Sequence, residues 1–377
     1  MMESILKRED LQRLLSGIGS IDERSKEEAR KRWNQLAKPI YGLGQMEDIL
    51  CRIAGIQASP RISIGKKALL VMCADNGVVS EGISQAEAGV TAVVSKSMAD
   101  AKASINIMAD CAGADVIPVD IGIAADIQVP GLLNKKTAYG TRNIVSEDAM
   151  SEGELLEAIY TGIDMVRLCK DMGYELIGCG EMGIGNTTTS AAILSVLLKK
   201  PARETAGRGA GLSAKALEHK IEVIELAIRN RRPEGEDILD VLKKLGGFDI
   251  AGLCGLHIGA ALYAIPIVTD GIISLTAAYA AYLLEPKCAD YMIASHQSRE
   301  PQSGELLAAL GLHAPIRADM GLGEGSGAVM LFPLLDMAEA VYRKLHSFED
   351  IGIEAYEEAN ASGSRKRCGN TEGEGRG

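Results

Sequence analysis

The sequence predicts an α/β protein with a mostly parallel sheet flanked by helices, and two observations support this fold class. From Ala68 onward, short runs rich in aliphatic and β-branched residues alternate with longer stretches of helical periodicity, which is the pattern of βαβ units. Small aliphatic residues supply most of the 47% apolar content, together with 42 Gly but only one Trp and three Phe. Such a composition suits closely packed parallel strands and helices joined by short turns.

The elements can be assigned in order along the chain. Residues 3 to 58 have apolar positions three and four apart and are expected to be helical, with a break at Lys38 and Pro39. We predict strands at residues 68–73, 115–123, 175–180, 265–271 and 291–296. We predict helices between them at Ser151–Asp171, Thr187–Lys199, Ser213–Arg229 and Ser274–Leu284.

The C-terminal part of the chain departs from this alternation. We expect it to be helical again from Leu334, just after Pro333, to Asn360. Residues 361–377 are polar and rich in glycine, so we predict a disordered tail.

Charge, cysteines and hydropathy narrow the function classes. The net charge of −11 argues against a nucleic-acid partner, but a phosphorylated small molecule can still be held by backbone N–H groups. The eight cysteines are isolated in sequence, so we expect reduced core residues and no structural metal. The N-terminus lacks the apolar segment of a signal peptide, and no apolar run is long enough to span a membrane. These features predict a cytoplasmic protein without a membrane partner.

Nearly every predicted strand runs into a polar or glycine-rich turn at its carboxyl end. In a parallel sheet those turns meet along one edge, where open α/β folds bind their ligands. The sequence therefore predicts a binding site formed by ADNG (74–77), DIG (120–122), GEMGIGNTT (180–188), TDG (269–271) and SHQSRE (295–300).

The segment GEMGIGNTT (180–188) has the sharpest local signal. Its glycines allow a ligand to approach the backbone, and Asn186 or Thr187 can begin a helix whose free N–H groups favour a monophosphate. No Gly-Lys-Ser/Thr follows, which argues against triphosphate chemistry. Taken alone, the motif is equally consistent with a tight turn that binds nothing.

The segment MGLGEGSGA (320–328) places a carboxylate between glycines. Glu324 can be presented to a ligand there, and loss of water would raise its pKa toward that of a general base. The spacing alone slightly favours the alternative, in which Glu324 caps a helix that begins near Ser326.

Other candidate residues each have a structural alternative. Gly207–Gly211 with Lys220 suits a phosphate or carboxylate, or forms a solvated loop. Asp270 and Asp120, each near the end of a strand, can bind ribose hydroxyls or cap turns. A structural role is favoured for His296, which also follows a predicted strand.

In this order, the segments resemble the nicotinate-nucleotide–dimethylbenzimidazole phosphoribosyltransferase family of cobalamin synthesis. The similarity covers residues 30 to 355 and is far more specific than a single glycine motif. It comprises Lys38-Pro39 with Gly42-Leu43-Gly44, CADNGVVSEGIS (73–84), VDIGI (119–123), GEMGIGNTT (180–188), GRGAGL (207–212), GGFDIAGLCG (246–255), PIVTDGIIS (266–274), IASHQSRE (293–300) and LGEGSGA (322–328).

The resemblance implies an architecture and a reaction. It implies a Rossmann-like domain at residues 61–333, a small helical domain formed by residues 1–60 and 334–360, and a homodimer. The implied reaction transfers the 5-phosphoribosyl group of nicotinate mononucleotide to 5,6-dimethylbenzimidazole, giving α-ribazole 5′-phosphate and nicotinate for the nucleotide loop of cobalamin. Such a transfer requires neither a metal nor another cofactor.

The resemblance also implies roles for individual residues. The catalytic glutamate of the family corresponds to Glu324. Substrate contacts are expected from Glu181, Met182, Gly183, Ile184, Gly185, Asn186, Thr187, Gly209, Lys220, Asp270, Ser298, Leu322, Gly323, Ala86 and Val94.

Departures from the family pattern leave the identity of the acceptor base open. Asn76 stands where many members have His, and Ala86, Ala88 and Val94 stand where members can place polar residues beside the base. The acceptor can therefore be dimethylbenzimidazole, another benzimidazole, a purine or a phenol.

Two other functions fit the sequence less well. A phosphatase or kinase is disfavoured by the lack of a Walker lysine and of an acidic metal cluster in the sequence. A non-catalytic nucleotide-binding module is disfavoured by Glu324, since such a module has no need of a bare carboxylate between glycines.

Overall fold

The computed structural model describes residues 7–87, 89–354 and 356 and contains a six-stranded sheet in which every pairing is parallel. The predicted disorder of residues 361–377 and the end of the last predicted helix lie outside these residues. The strands are β1 (Lys67–Ala74), β2 (Ala114–Gly122), β3 (Leu133–Asn134), β4 (Leu176–Met182), β5 (Ile267–Thr269) and β6 (Met292–Ala294).

The strand order is β3-β2-β1-β4-β5-β6, which is that of a doubly wound Rossmann fold. The order reverses direction between β1 and β4, so the loops after these two strands diverge and leave a crevice between them. This topology confirms the predicted α/β class. It also brings the loops that were predicted to form the binding site to the carboxyl edge of the sheet.

Helices cover both faces of the sheet. None in the described part of the chain is long and apolar enough to cross a membrane. The described helices are α1 (Arg8–Leu15), α2 (Glu23–Gln35), α3 (Gln45–Ile56), α4 (Gly89–Ala99), α5 (Ser104–Cys111), α6 (Glu152–Asp171), α7 (Asn186–Leu197), α8 (Ala202–Thr205), α9 (Ala214–Arg231), α10 (Ile238–Leu245), α11 (Phe248–Leu262), α12 (Ile272–Leu284), α13 (Ser303–Ala309) and α14 (Ser326–Lys344).

Strand β1 divides the hydrophobic core into two layers. Leu70 and Met72 pack in the layer beneath α6, α11 and α12, whereas Leu69 and Val71 pack in the layer beneath α3, α5 and α14. Alternate side chains of a strand point to opposite faces, so a strand covered on both sides must be apolar throughout. This explains why β1 is a continuous apolar run.

Helices from the two chain ends meet on one side of the sheet. Trp33 of α2 lies against Tyr342 of α14 with a centroid separation of 5.0 Å, and Leu36 forms an isolated bridge with Ser347. Their apolar residues belong to the same core layer as Leu69 and Val71. This arrangement is compatible with a small domain formed by both ends, which remains a prediction.

The start of the last helix differs from the prediction at Pro333. Helix α14 begins at Ser326 and passes through Pro333 instead of beginning after it. Proline removes one backbone hydrogen bond. Phe332 and Leu335 beside it are fully buried, and this packing outweighs the local preference.

Helix α14 also ends at Lys344, short of the predicted end at Asn360. It ends there because the chain turns extended at Leu345 and Ser347 pairs with Leu36 in a bridge.

Two glycines allow helices α6 and α11 to pack in close contact. A methyl group on Gly162 of α6 would overlap the carbonyl oxygen of Gly252 in α11, and one on Gly255 would overlap the carbonyl oxygen of Ile159. The backbones of α6 and α11 therefore touch directly, which positions the N-terminus of α11 beneath the carboxyl ends of β1 and β4.

We expect Gly162→Ala to lower the free energy of unfolding by about 2 kcal/mol, measured by urea denaturation. The added methyl forces the helices apart, and this cost exceeds the gain in helix propensity of up to about 1 kcal/mol. Gly153→Ala in the first turn of α6 is the control, because nothing lies within 4 Å of a Cβ there. Equal effects of the two substitutions would contradict the packing argument.

Candidate active site

Loops at the carboxyl edge of the sheet enclose a cavity of about 340 Å³. Its walls come from α4, from the loops that follow β4, β5 and β6, and from the turn that precedes α14. The lining residues are Val90, Val94, Glu181, Met182, Gly183, Ile184, Asn186, Thr187, Gly209, Ala210, Asp270, Gly271, Ile272, Ile273, Ser274, His296, Ser298, Glu300, Met320, Gly321, Leu322, Gly323, Glu324 and Ser326.

All of the residues expected at the site except Gly185, Lys220 and Ala86 line this cavity. Gly185 lines an adjoining cavity of about 110 Å³. Lys220 is fully buried beneath the wall, and Ala86 lines neither cavity. Val90, four residues before Val94 on α4, supplies the wall contact expected of Ala86, since residues four apart share a helix face.

Glu324 lies in the middle of three consecutive left-handed residues. The φ angles are +79° at Gly323, +60° at Glu324 and +87° at Gly325. A glutamate in this region is strained, at a cost of about 1 to 3 kcal/mol. The absence of a side chain on Gly180 of β4 lets the turn approach, because a Cβ there would lie 2.6 Å from the carbonyl oxygen of Glu324.

The carboxylate of Asp270 holds this turn in place. Its Oδ2 accepts a hydrogen bond from the N–H of Gly325 (3.0 Å), and its Oδ1 accepts one from the N–H of Gly327 (2.8 Å). The N–H of Asp270 in turn donates to Ser274 Oγ at 3.1 Å. Asp270 therefore caps α14, the structural alternative considered for it, and fixes the backbone on which Glu324 depends.

Glu324 has the environment of a general base. Its Oε2 is buried and has no hydrogen-bond partner among the described residues. Burial raises the pKa of Glu324, the charge of Asp270 raises it further, and the backbone N–H of Ile105 partly opposes this rise. A carboxylate with a free oxygen and a raised pKa can accept a proton from a ligand in the cavity.

Glu181 belongs to a second set of carboxyl groups. Asn186 Nδ2 donates both to Glu181 Oε2 and to Asp249 Oδ2 (3.0 Å), so one amide bridges two acids. Burial raises the pKa of Glu181 to about 8, with the charge of Asp249 as the next cause, and burial raises the pKa of Asp249 to about 6. Glu181 therefore keeps its proton at neutral pH, whereas Asp249 is mainly ionised.

Asp249 was not among the residues expected at the site. It lies in the first turn of α11, within the motif GGFDIAGLCG, and is completely buried beneath the cavity. Its contact with Asn186 joins residues far apart in the sequence. We refer to Glu181, Asp249, Asp270 and Glu324 as the acidic cluster.

A contrasting group of residues lies where α7 begins. Lys220 Nζ donates to Thr187 Oγ1 (2.9 Å) and to the carbonyl oxygen of Gly207 (3.1 Å). Burial lowers the pKa of Lys220 to about 8, and the charge of Glu300 partly opposes this effect. We refer to Thr187, Gly207, Gly209 and Lys220 as the lysine cluster.

The lysine cluster can bind an anion without direct contact from Lys220. Because Thr187 Oγ1 accepts from the ammonium group, its own O–H remains able to donate into the cavity. The amino end of α7 adds the partial positive charge of its first turn. The cavity thus combines carboxyl groups with an anion-binding wall, and Val90, Val94 and Leu322 give it an apolar surface for a flat ring.

The remaining candidates have structural partners. Asp120 is buried, pairs with Lys136 at 2.9 Å and accepts a hydrogen bond from the N–H of Ile123, so it caps a turn outside the cavity. His296 Nδ1 lies 3.0 Å from Ser295 Oγ and 4.0 Å from Asp270, and burial lowers its pKa. Neutral His296 therefore packs beside the capping carboxylate, although it also lines the cavity.

The sequence matches a family profile and several relatives of known name. A family profile described as phosphoribosyltransferase matches residues 18–353. The nicotinate-nucleotide–dimethylbenzimidazole phosphoribosyltransferase of Acetivibrio thermocellus is 44% identical over 343 residues, which are 91% of this chain and 98% of the relative. The enzyme of the same name from Ruminiclostridium cellulolyticum is 42% identical over 342 residues, covering 91% of this chain and 97% of the relative.

Solved structures agree with the sequence comparison. The crystal structure of CobT from Thermus thermophilus matches with a TM-score of 0.83 and 33% identity, covering 88% of this chain and 99% of that protein. A structure named as the nicotinate-nucleotide–dimethylbenzimidazole phosphoribosyltransferase of the same organism also has a TM-score of 0.83, with 32% identity, covering 89% of this chain and 100% of that protein. This chain therefore belongs to the nicotinate-nucleotide–dimethylbenzimidazole phosphoribosyltransferase family.

Proposed function

We propose that this protein transfers the 5-phosphoribosyl group of nicotinate mononucleotide to 5,6-dimethylbenzimidazole or a related base. The products are α-ribazole 5′-phosphate and nicotinate, for assembly of the nucleotide loop of cobalamin. The observation that carries the proposal is the carboxylate of Glu324, with no hydrogen-bond partner at Oε2, in a cavity that is also lined by Thr187 at the amino end of α7.

Glu324 is assigned as the general base. One ring nitrogen of the benzimidazole attacks C1′ of the ribose while the bond from C1′ to the pyridinium nitrogen breaks. The attacking ring gains a positive charge, which is lost when Glu324 removes the proton from its other nitrogen. The departing nicotinate takes the bonding electrons onto its ring nitrogen and needs no acid, because that nitrogen was already cationic.

The acidic cluster stabilises the transition state electrostatically. Positive charge develops at C1′ and the ring oxygen as the leaving group departs, and fixed negative groups nearby lower the energy of that charge. The carboxyl groups of Asp249 and Asp270 supply this field from positions held by hydrogen bonds. Neutral Glu181 can donate a hydrogen bond to the nucleotide while its amide-bonded oxygen stays fixed by Asn186.

The lysine cluster is assigned to the 5′-phosphate. The Thr187 hydroxyl and the first turn of α7 donate to the phosphate oxygens, and Lys220 acts through Thr187. Holding the nucleotide at this end and the acceptor ring against Val90 and Val94 places the attacking nitrogen on the side of C1′ opposite nicotinate. Attack from that side converts the β-linkage to an α-linkage.

The wall formed by Val90, Val94 and Leu322 favours an apolar acceptor. It offers no hydrogen bond to the exocyclic amino group of a purine, whereas the methyl groups of dimethylbenzimidazole gain from burial. A phenol is disfavoured because Glu324 would have to remove a proton from a hydroxyl group, whose pKa is much higher than that of the N–H in the cationic benzimidazole ring.

The assembly and location of the protein are also proposed. Helix α14 exposes Met330, Leu334 and Met337 at a spacing that places them on one face, and neighbouring α5 exposes Ile107. This apolar face supports a homodimer. The packing of α2 against α14 supports a small helical domain built from both chain ends. The seven described cysteines are free thiols and six of them are buried, which supports a cytoplasmic location.

We expect the protein to convert nicotinate mononucleotide and dimethylbenzimidazole into a ribotide and nicotinate, and Glu324→Gln to lower kcat by at least about 100-fold. The amide cannot accept the proton, but it keeps the size of the side chain. Products are measured by chromatography and mass spectrometry with dimethylbenzimidazole, benzimidazole, adenine and p-cresol as acceptors.

Two controls make this test specific. The affinity for nicotinate mononucleotide should be unchanged in Glu324→Gln, and Glu305→Gln on the surface of α13 should leave turnover unchanged. Absence of any product from the folded protein would refute the transferase. Parallel loss of affinity and turnover would make Glu324 a binding residue.

We expect kcat/KM to fall as the pH is lowered through the raised pKa of Glu324 in the free protein, because only the ionised carboxylate accepts a proton. The fall should therefore begin above the ordinary glutamate value of 4.5. Asp270→Asn should move it to lower pH, since the charge of Asp270 contributes to the raised pKa while asparagine retains one capping oxygen. Asp319→Asn, in the loop that precedes α14 and contains Glu324, is the control, and an equal displacement in both variants would contradict this assignment.

We expect Met337→Glu to convert the dimer into monomers, measured by sedimentation velocity, because the new charge would be buried in the proposed interface. Met172→Glu is the matched control, since Met172 is also exposed but lies at the end of α6. A monomeric unmodified protein, or an unaltered dimer in Met337→Glu, would refute this interface.

A further inference from the structure

One acidic residue contacts the lysine cluster. Glu300 lies in the loop after β6, lines the main cavity and accepts a hydrogen bond from the N–H of Gly209 through Oε1 at 3.1 Å. A negative group at an anion-binding wall is unexpected, because it opposes the ligand that the wall attracts. The segment SHQSRE (295–300) was predicted to lie at the binding site, but no individual role was assigned to Glu300.

The carboxylate of Glu300 fits closely among these donors. A methyl group on Gly207 would overlap Glu300 Oε2, so the acid occupies the space left by the missing side chain. Gly207 and Gly209 flank it, and both also contact the Lys220–Thr187 pair. The carbonyl oxygen of Gly207 accepts from Lys220, and a Cβ on Gly209 would lie 3.1 Å from Thr187 Oγ1.

The backbone of Glu300 is anchored independently of its side chain. Its N–H donates to Ser298 Oγ at 3.2 Å, the N–H of Ser298 donates to Ser303 Oγ at 3.1 Å, and Pro301 follows. The side chain is only half-buried. Rotation of the carboxylate away from Gly209 therefore requires no movement of the loop.

We propose that the Glu300 carboxylate competes with the phosphate of the nucleotide for the N–H of Gly209 and the charge of Lys220. Binding of the nucleotide turns the carboxylate out of the lysine cluster, and release of the product returns it. This inference rests on the proposed phosphate assignment and adds a residue that limits the affinity of that site.

The size of the effect follows from the occupancy of the donors. For an occupancy of about 80 to 90%, only the remaining fraction of the protein is competent to bind phosphate. The apparent Kd for the nucleotide is then raised about five- to tenfold. A ligand without a phosphate group does not need these donors, so its apparent Kd is not raised.

The test compares Glu300→Gln with the unmodified protein by calorimetric titration with nicotinate mononucleotide and with the nucleoside nicotinate riboside. Glutamine keeps the size of the side chain but removes its charge, so it no longer attracts Lys220 and accepts the N–H of Gly209 only through a weaker, neutral hydrogen bond. Glu204→Gln is the matched control, because exposed Glu204 on α8 is near the same loop and its carbonyl oxygen accepts from Gln302.

We expect Glu300→Gln to bind the mononucleotide about five- to tenfold more tightly and the riboside as before, with Glu204→Gln unchanged in both titrations. Unchanged or weaker mononucleotide binding in Glu300→Gln would refute the competition and make Glu300 a loop anchor. An equal gain in Glu204→Gln would also refute it, as a general effect of charge.

The same titrations separate this proposal from the proposed function. If the unmodified protein and Glu300→Gln both bind the mononucleotide no more tightly than the riboside, the phosphate assignment itself is wrong and both proposals fall. If the mononucleotide is preferred but Glu300→Gln brings no gain, only the competition is wrong.

Discussion

Two hydrogen bonds to the carboxylate of Asp270 connect the sheet to the turn on which the proposed chemistry depends. Asp270 directly follows β5, and the N–H groups of Gly325 and Gly327 belong to the start of α14. A hydrogen bond to a charged group contributes about 1.5 to 3 kcal/mol. The two bonds together are large enough to offset the strain of a left-handed glutamate, about 1 to 3 kcal/mol. The position of Glu324 is therefore determined by the sheet and not by its own loop.

Neighbouring carboxyl groups in the acidic cluster have different pKa values. Glu181 and Asp249 share one amide of Asn186, but burial raises the pKa of Glu181 to about 8 and that of Asp249 only to about 6. At neutral pH one acid can donate a hydrogen bond while its neighbour supplies negative charge. Divergent pKa values within one site allow a single residue type to perform distinct tasks.

The main features of the fold and much of the cavity were predictable because they depend on local patterns. Strands β1 and β4 are largely buried apolar runs, β2 is buried in its second half, and all three are followed by polar turns. Parallel strands bring such turns to one edge. Strand β3 was not predicted because it has two residues at the edge of the sheet. Helix α14 continues through Pro333 because tertiary packing overrides local propensity.

Long-range contacts account for what the sequence could not reveal at the site. Asp249 contacts Asn186 across 63 positions, and Glu300 contacts Gly209 across 91. Neither pairing has a local motif. The capping role of Asp270 likewise depends on a partner 55 residues away, so the choice between capping and ribose binding required the fold.

The separation of Val90 and Val94 from the Glu324 turn has an evolutionary consequence. The turn tolerates few substitutions, because its left-handed glycines and the close approach of Gly180 restrict the backbone. Val90 and Val94 lie on α4, an ordinary helix whose side chains can change without altering that backbone. Under the proposed site assignment, mutations in α4 can therefore change which base is accepted while proton transfer by Glu324 is preserved. Descendants of this enzyme can acquire new acceptors one helix residue at a time.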